Sequence, residues 1–221
     1  MTKRDLASEL DDYFNSLLLT EDEALLEAKR TSTAAGLPNI AVSAGQGKFL
    51  QIFALAMGAK RILEIGTLGG YSTIWLARSL PEDGKLVSLE HDPNFAKIAE
   101  SNIDSAGLAD KVDVVVGDAL ESLYDLRDEE PFDFIFIDAD NKNVPGYLGW
   151  AIRLGRPGTM IIVDNVVRNG RVLDENDEGR AVVGTRKAVQ YVHDHPRLDG
   201  VALQTTGVKG HDGYLIARLL P

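Results

Sequence analysis

Hydrophobic positions follow two alternating patterns from about residue 60 to the C-terminus. Short runs rich in β-branched residues alternate with amphipathic stretches. The runs predict strands at 61–65, 85–90, 111–116, 132–138 and 159–164. The stretches between them predict helices at 71–79, 93–106, 120–126 and 147–154. Strands that alternate with helices in this way are typical of βαβ units on a parallel sheet.

Two of the predicted strands are apolar along nearly their whole length. They read Phe-Ile-Phe-Ile at 134–137 and Met-Ile-Ile-Val at 160–163. Strands of this kind have both faces of their sheet covered, so we expect them at the centre of the sheet. Two further runs, 201–206 and 213–219, are joined by a glycine-containing connection at 207–212 and predict a hairpin that closes the sheet.

The segment before residue 60 has the pattern of three helices. Thr-Glu-Asp-Glu at 20–23 predicts a capping box at the start of one of them. No repeat, low-complexity tract or linker interrupts the sequence. We therefore expect one domain over residues 1–221, in which helices of 1–58 pack on an α/β core formed by 59–221.

Composition narrows the classes of function. The chain has 34 Asp and Glu against 23 Lys and Arg, a formal net charge of −11, and no cysteine. The acidic balance disfavours nucleic acid and membrane surfaces as partners. The missing cysteine excludes disulfides, a thiolate zinc site and a cysteine nucleophile. Residues 1–10 lack the apolar region of a secretory signal, and no window holds the about 20 apolar residues that span a bilayer, so a cytoplasmic protein is expected.

A glycine-rich segment joins the first predicted strand to the following helix. It reads Glu-Ile-Gly-Thr-Leu-Gly-Gly-Tyr-Ser-Thr at 64–73. Glycines here let the backbone approach a ligand, and a helix N-terminus favours anionic groups. The spacing does not match the dinucleotide fingerprint Gly-x-Gly-x-x-Gly. The second strand ends in Glu90, which can bridge ribose hydroxyls, so an adenosine ligand is predicted. A structural turn with a solvated Glu90 is the alternative.

Oxygen-bearing side chains follow two other predicted strands. Asp138 ends one strand, and Asp164 and Asn165 end the next. Ligands bind beyond the carboxyl ends of parallel strands, which lie about 5 Å apart, so these three side chains can converge on one point. Hard oxygen ligands suit Mg²⁺ or Ca²⁺ and leave room for a vicinal diol. The alternative is a set of mutually repelling carboxylates at solvated strand ends.

Three motifs, in their order along the chain, resemble those of a known family. They are Glu-x-Gly-x-x-x-Gly-Tyr-Ser-Thr at 64–73, Phe-Ile-Asp-Ala-Asp at 136–140 and Val-Asp-Asn-Val at 163–166. The sequence is similar to the cation-dependent O-methyltransferases of the caffeoyl-CoA and catechol O-methyltransferase-like group, especially the small bacterial-type members. The likeness runs from about Ile40 to the C-terminus and includes Lys-Gly-His-Asp-Gly at 209–213.

The resemblance implies a Rossmann-like methyltransferase fold. Its sheet has seven strands, mostly parallel with an antiparallel last strand, helices on both faces and an N-terminal helical extension. The methyl donor would be S-adenosylmethionine (SAM), and the ion Mg²⁺, Mn²⁺ or Ca²⁺. The acceptor would be a phenolic small molecule such as a catechol, a hydroxycinnamoyl-CoA or a natural-product phenol, and the chain would form a homodimer.

The resemblance also implies roles for individual residues. Ser72 would donate to the SAM carboxylate, Glu90 would bind the ribose and the residues at 117–119 would border the adenine. The cofactor residues implied by position are Val42, Glu64, Gly66, Thr67, Ser72, Glu90, His91, Gly117, Asp118, Ala119 and Asp138. The implied metal ligands are Asp138, Asp164 and Asn165.

One position departs from the family pattern. Family members usually read Asp-Ala-Asp-Lys, and that lysine is thought to act as the base on the substrate hydroxyl. Here Asn141 holds the position and Lys142 follows it, so the predicted catalytic residues are Asp138, Asn141 and Lys142. An amide is no general base, and successive helical residues point about 100° apart. Three alternatives remain: Lys142 acts through a changed loop, the metal activates the hydroxyl unaided, or catalysis has weakened or shifted to another substrate class, which includes a non-catalytic adenosyl-binding module.

Other side chains near the predicted site are less informative. Arg168 and Arg171 could bind an anionic substrate group or pair with Asp174 or Glu175 on the surface. His211 lies in the closing connection, near the expected substrate entrance. Tyr147 is either a packing residue or part of the substrate wall.

Overall fold

The computed structural model describes residues 3–221, in which a seven-stranded sheet is covered by helices. The strands are β1 (Arg61–Ile65), β2 (Lys85–Glu90), β3 (Val112–Val116), β4 (Phe132–Ile137), β5 (Gly155–Asp164), β6 (Leu198–Gly207) and β7 (Gly210–Leu219). The helices are α1 (Lys3–Leu18), α2 (Glu23–Ala34), α3 (Ala44–Met57), α4 (Tyr71–Ala77), α5 (Pro93–Ser105), α6 (Ala119–Asp125), α7 (Val144–Leu154) and α8 (Arg180–Asp194). Short 3₁₀ turns lie at Ala109–Lys111, Leu126–Asp128, Asn141–Asn143 and Arg168–Leu173.

The strands are ordered β3-β2-β1-β4-β5-β7-β6 across the sheet. The first five run parallel, and β7 runs antiparallel to both of its neighbours, β5 and β6. The predicted mostly parallel sheet with an antiparallel last strand is therefore confirmed. The strand order reverses between β1 and β4, and ligands of such sheets bind outside the carboxyl ends at this point.

Strand alternation divides the core into two layers. One face of the sheet packs Phe134 and Ile162 against Leu25 of α2, Leu50 of α3 and Trp75 of α4. The other face packs its aliphatic side chains against α7 and α8. The predicted helices on both faces are therefore present. The prediction of one domain over 1–221 includes Met1 and Thr2, which lie outside the described residues.

Three strands of the sheet are longer than the sequence pattern predicts. Strand β5 begins at Gly155 rather than at Thr159, with an irregular register between Phe132 and Phe134 of β4. In the closing hairpin the strands extend until only Val208 and Lys209 separate them, so the connection predicted at 207–212 is too long.

The predicted capping box at 20–23 is wrong. Helix α2 begins at Glu23, and its N-cap is Asp22, whose side chain accepts from the Leu25 amide at 3.2 Å. A capping box does occur at α3. The Ser43 hydroxyl accepts from the Gln46 amide at 3.3 Å, and the Ser43 amide donates to the Gln46 side chain at 2.8 Å. No helix in the described part of the chain is long and apolar enough to cross a membrane.

Candidate functional site

The carboxyl ends of the parallel strands form one continuous edge. Ile65 of β1 pairs with Ile137 of β4, and Ile137 pairs with Val163 of β5. The Asp138 amide still donates to the Ile65 carbonyl at 2.9 Å, so the first residue after β4 keeps the strand register. The turn after β1 and the carboxylates after β4 and in β5 therefore lie side by side.

The turn between β1 and α4 needs glycine for a steric reason. Gly66 has φ +103°, and a Cβ there would overlap the backbone oxygen of Asp138. Gly70, the N-cap of α4, has φ +79°. Positive φ is unfavourable for residues with a side chain. Glycine at 66 therefore lets the turn pack closely on the chain after β4, and glycine at 70 lets the start of α4 lie against Ala99 of α5.

Glu90 holds this turn from the end of β2. One carboxylate oxygen accepts from the Leu68 amide at 2.8 Å, and the other accepts from the Asp92 amide at 2.9 Å. Each oxygen has further lone pairs, so the carboxylate can also accept from a diol such as a ribose. His91, which follows Glu90, is exposed.

Glu64 and Thr67 face inward. Glu64 has no exposed surface and accepts hydroxyl hydrogen bonds from Ser72 at 2.6 Å, Thr73 at 2.5 Å and Ser88 at 2.7 Å. The buried Thr67 hydroxyl lies 2.6 Å from that of Ser88. Both side chains are therefore hydrogen-bonded within the chain, and the cofactor roles implied for them stay predictions.

Burial raises the pKa of Glu64 from its ordinary 4.5 to about 7, although three hydroxyl donors oppose the shift and Asp138 adds to it. Between these values the folded chain holds a proton that the unfolded chain lacks. The free energy of unfolding should therefore fall as pH rises from about 4.5 to above 7, by on the order of 3 kcal/mol for this group.

We expect Glu64→Gln to remove that part of the pH dependence, because glutamine keeps the shape and does not ionise. The measurement is urea unfolding of both proteins at pH 5 and pH 8 in chelator. The exposed Glu178→Gln serves as the control that keeps the wild-type slope. A Glu64→Gln protein with the wild-type difference between the two pH values would contradict the assignment.

Two acidic side chains meet at the ends of β4 and β5. Asp164 is 4% exposed, and its carboxylate accepts from the Asn165 amide at 2.7 Å. Burial is the main cause that raises the pKa of both Asp138 and Asp164. Repulsion from Asp138 adds to the shift at Asp164, and Asp212 adds to it at both carboxyls.

This donor set fits a hard divalent cation. Two carboxylates that repel each other, the partly exposed Asp138 and the buried Asp164, are stabilised when a cation shares their oxygens, and Asn165 follows Asp164 directly. Within residues 3–221 no cluster of three or more His, Cys, Asp or Glu has a metal-binding arrangement. A set of two carboxylates and one amide contains only two such residues and agrees with that finding.

The closing hairpin brings further charges to the acidic pair. Lys209 is exposed, yet partial desolvation lowers its pKa, and attraction to Asp138 and Asp164 opposes the shift. Asp212 accepts from the amides of Val167 at 2.9 Å and Gly213 at 3.0 Å, and so ties the hairpin to the chain after β5. The motif at 209–213 contained both residues, but the sequence assigned them no role.

Asn141 and Lys142, which follow β4, have different surroundings. Asn141 is 8% exposed, and its side-chain oxygen accepts from the Arg168 guanidinium. Lys142 is exposed to solvent. Arg171 pairs with Asp177 at 2.8 Å, whereas the sequence suggested Asp174 or Glu175 as surface partners.

Residues at the end of β3 complete the edge. Gly117 follows β3, and Asp118 caps α6 by accepting from the amides of Leu120 at 2.9 Å and Glu121 at 3.3 Å. Ala119 is the first residue of α6. Val42 is buried immediately before the Ser43 capping box.

Two further candidates have protein partners. The Tyr147 hydroxyl donates to Asp140 at 2.7 Å, and the ring is buried, which favours the packing interpretation. His211 lies 2.8 Å from the Gln204 side chain. The Tyr147 hydroxyl and the His211 Nε2 thus both have partners within the chain.

The chain is similar in sequence to proteins whose family is known. The model of the O-methyltransferase family matches residues 16–218. The catechol O-methyltransferase of Mycobacterium tuberculosis is 51% identical over 209 residues, 95% of this chain and 94% of that protein. The catechol O-methyltransferase of Niastella koreensis is 49% identical over 210 residues, 94% of this chain and 95% of that protein.

Solved structures agree over the full length. The O-methyltransferase TomG from Streptomyces achromogenes, crystallised in complex with SAM, matches with a TM-score of 0.97 at 43% identity and 100% coverage of both chains. The O-methyltransferase from Bacillus cereus, in complex with S-adenosylhomocysteine (SAH), matches with a TM-score of 0.96 at 48% identity, over 97% of this chain and 99% of that one. The fold is thus the Rossmann-like methyltransferase fold, and the chain belongs to the O-methyltransferase family as a SAM-dependent O-methyltransferase.

Proposed function

We propose that the chain transfers the methyl group of SAM to one hydroxyl of a catechol-type small molecule, in a reaction that depends on a divalent cation. The observation that carries this proposal is the pair of mutually repelling carboxylates at the ends of β4 and β5, Asp138 and the buried Asp164, followed by Asn165 and adjacent to the Gly66 turn. A diol-binding ion site would then lie next to a nucleotide site. The names of the two relatives near 50% identity support a catechol as acceptor.

The cofactor would lie along the turn after β1. Glu90 is proposed to accept from the ribose hydroxyls with its free lone pairs, and Gly66 to offer its backbone to the methionine end. The adenine would lie near residues 117–119, with Val42 and His91 at the borders of the site. Ser72 now donates to Glu64, so contact with the methionine carboxylate requires its hydroxyl to rotate.

The chemistry needs a nucleophilic oxygen in line with the sulfonium methyl group. Asp138, Asp164 and Asn165 would hold Mg²⁺ or a similar ion, which supplies positive charge that lowers the pKa of a nearby hydroxyl. The acceptor oxygen forms a bond to the methyl carbon while the bond between that carbon and sulfur breaks. The electron pair of the broken bond stays on sulfur. The products are a methyl ether and SAH. Positioning of the two reactants by the chain can contribute roughly 7–11 kcal/mol.

A panel of phenols with SAM tests the proposal. We expect methylated product from catechol and from a hydroxycinnamoyl-CoA that has two vicinal hydroxyls, with a rate that saturates with added Mg²⁺ and disappears in excess chelator. A monophenol of the same size is the matched control, because it lacks the second oxygen. Equal turnover of diphenol and monophenol, or full turnover in chelator, would contradict a diol-binding ion site.

A second candidate function rests on Asn141, which stands where the family usually has lysine. The chain could bind adenosyl compounds without efficient catalysis. Tight SAM binding with no product from any diphenol would favour this alternative. A homodimer, a cytoplasmic location and the absence of nucleic-acid or membrane partners remain predictions from the sequence.

A further inference from the structure

Asn141 is held rigidly at the edge of the acidic pair. Its side chain is 8% exposed, so the amide has almost no freedom to move into solvent. Gly184 of α8 packs against its backbone, since a Cβ at Gly184 would overlap the Asn141 carbonyl oxygen. The side-chain oxygen of Asn141 accepts from the Arg168 guanidinium. The amide therefore determines where one end of this guanidinium lies.

The backbone of Arg168 is also held in place. Its φ is +54°, which is uncommon for a residue with a long side chain. Its amide donates to Asp212 at 3.1 Å, and Asp212 also accepts from the preceding amide, of Val167, at 2.9 Å. The hairpin carboxylate thus holds the chain after β5 in the conformation that directs Arg168 toward Asn141.

The guanidinium has unused hydrogen-bonding capacity beside the acidic pair. Its Nε is buried and has no partner. Arg168 follows Asp164 by four residues, and its guanidinium binds Asn141, three residues after Asp138, so it lies near the ends of β4 and β5. Its charge opposes the rise in pKa that burial causes at both carboxyls. Within residues 3–221 no carboxylate forms an ion pair with Arg168. A half-buried cation with an unused donor is suited to stabilise an anion that binds there.

We infer that Arg168, positioned by Asn141, is a catalytic residue whose guanidinium stabilises the phenolate oxygen of the acceptor. This inference rests on the proposed catechol methyltransferase function. Arginine stays protonated at every working pH, so it cannot take the hydroxyl proton, which leaves to water. The phenolate then attacks the methyl carbon, the carbon–sulfur bond breaks onto sulfur, and the guanidinium keeps its charge throughout. Arg168 thus raises the phenolate population without a protein base.

The charged groups that face Arg168 define what else can affect this phenolate. They are Asp138 after β4, Asp164 in β5, and Asp212 and Lys209 of the hairpin. The three carboxylates raise the pKa of a phenol bound nearby, and Lys209 lowers it. The test therefore changes Arg168 alone and leaves these four groups in place.

The direct readout is the ionisation of bound 4-nitrocatechol, whose phenolate absorbs visible light. The complex contains SAH and Mg²⁺, so no methyl transfer occurs. We expect Arg168→Met to raise the apparent pKa of the bound probe by about one unit, a tenfold change in the ionisation constant. Arg168→Lys should restore part of the shift, because it restores the charge. Asn141→Leu should produce a smaller shift in the same direction, because the guanidinium loses its positioning partner.

Arg180→Met is the matched control, since it removes the same charge from an exposed residue of α8. It should leave the probe pKa unchanged. Kinetics give a second readout: kcat/KM of Arg168→Met for catechol should fall about tenfold near pH 6.5 and approach the wild-type value at high pH, where the hydroxyl ionises unaided. A loss of equal size at every pH would indicate a structural role and overturn the inference.

Three outcomes separate the inference from the proposed function. If the wild-type protein binds no 4-nitrocatechol with Mg²⁺ and methylates no diphenol, the proposed function fails and the inference fails with it. If the wild-type protein does both and Arg168→Met leaves the probe pKa unchanged, only the inference fails. If added Mg²⁺ fully restores the Arg168→Met protein, Arg168 serves the ion site rather than the phenolate, and the inference is again overturned. SAH binding by calorimetry verifies that each variant is folded.

Discussion

Replacing Asp164 with alanine is expected to abolish divalent-dependent methyl transfer and to leave SAM binding largely intact. Asp164 lies in β5, which β4 separates from the Gly66 turn after β1 and from Glu90 of β2, the residues that would hold the cofactor. The substitution removes one of only two charged ligands of the proposed ion. We expect kcat/KM for catechol to fall by on the order of a thousandfold, about 4 kcal/mol of transition-state stabilisation.

The measurements for Asp164→Ala are turnover of catechol against Mg²⁺ concentration and calorimetric titration with SAM. In the metal-free protein the variant should also resist urea at least as well as the wild type, because a buried carboxylate that Asp138 repels is gone. Glu178→Ala, which removes an exposed carboxylate, should retain the wild-type divalent dependence. Wild-type turnover by Asp164→Ala in excess chelator would exclude Asp164 from an ion site.

Gly66→Ala is expected to have the second largest effect, on cofactor binding. A methyl group at this position meets the Asp138 backbone oxygen, which cannot move without shifting the chain beside β4. The turn after β1 would therefore separate from the chain after β4. We expect SAM affinity to fall by about a hundredfold or more, and the free energy of unfolding to fall by more than the roughly 1–2 kcal/mol of a left-handed alanine.

Gly158→Ala is a matched control for this prediction. Gly158 has φ +99°, close to the +103° of Gly66, but a Cβ there meets no atom within 4 Å. Its substitution carries the cost of backbone strain without the clash and lies at the opposite end of the sheet from the site. Calorimetry with SAM and urea unfolding compare the two variants. Similar losses in both would show that strain, and not close packing of the turn, explains the need for glycine at 66.

The secondary structure is predicted best for strands whose side chains are buried on both faces of the sheet. The apolar runs of β4 and the second half of β5 are visible in the sequence because a central strand contacts core on both faces. The start of β5 was missed, since Gly155, Pro157 and Gly158 have the composition of a loop. The cap of α2 was also misplaced. Several polar residues precede this helix, and only the observed hydrogen bond shows that Asp22 is the N-cap.

The sequence predicts which residues lie at the candidate site. It does not predict where their side chains point. The carboxyl-end rule brings Asp138 and Asp164 to one edge, and the structure agrees. The sequence does not show that the hydroxyls of Ser72, Thr73 and Ser88 enclose Glu64. Those hydroxyls come from α4 and from β2, so the environment of Glu64 depends on how both elements pack.

By itself, the sequence determined the parallel sheet, its edge of acidic residues and the family, because these depend on local burial patterns and on motifs of consecutive residues. Tertiary structure alone decided which charges surround the acidic pair. Residue 164 pairs with Tyr214 only because β7 returns antiparallel beside β5. That pairing brings the hairpin carboxylate of Asp212 to the amide of Arg168. Contacts between residues so far apart in the chain arise from strand pairing and packing, which no local pattern encodes.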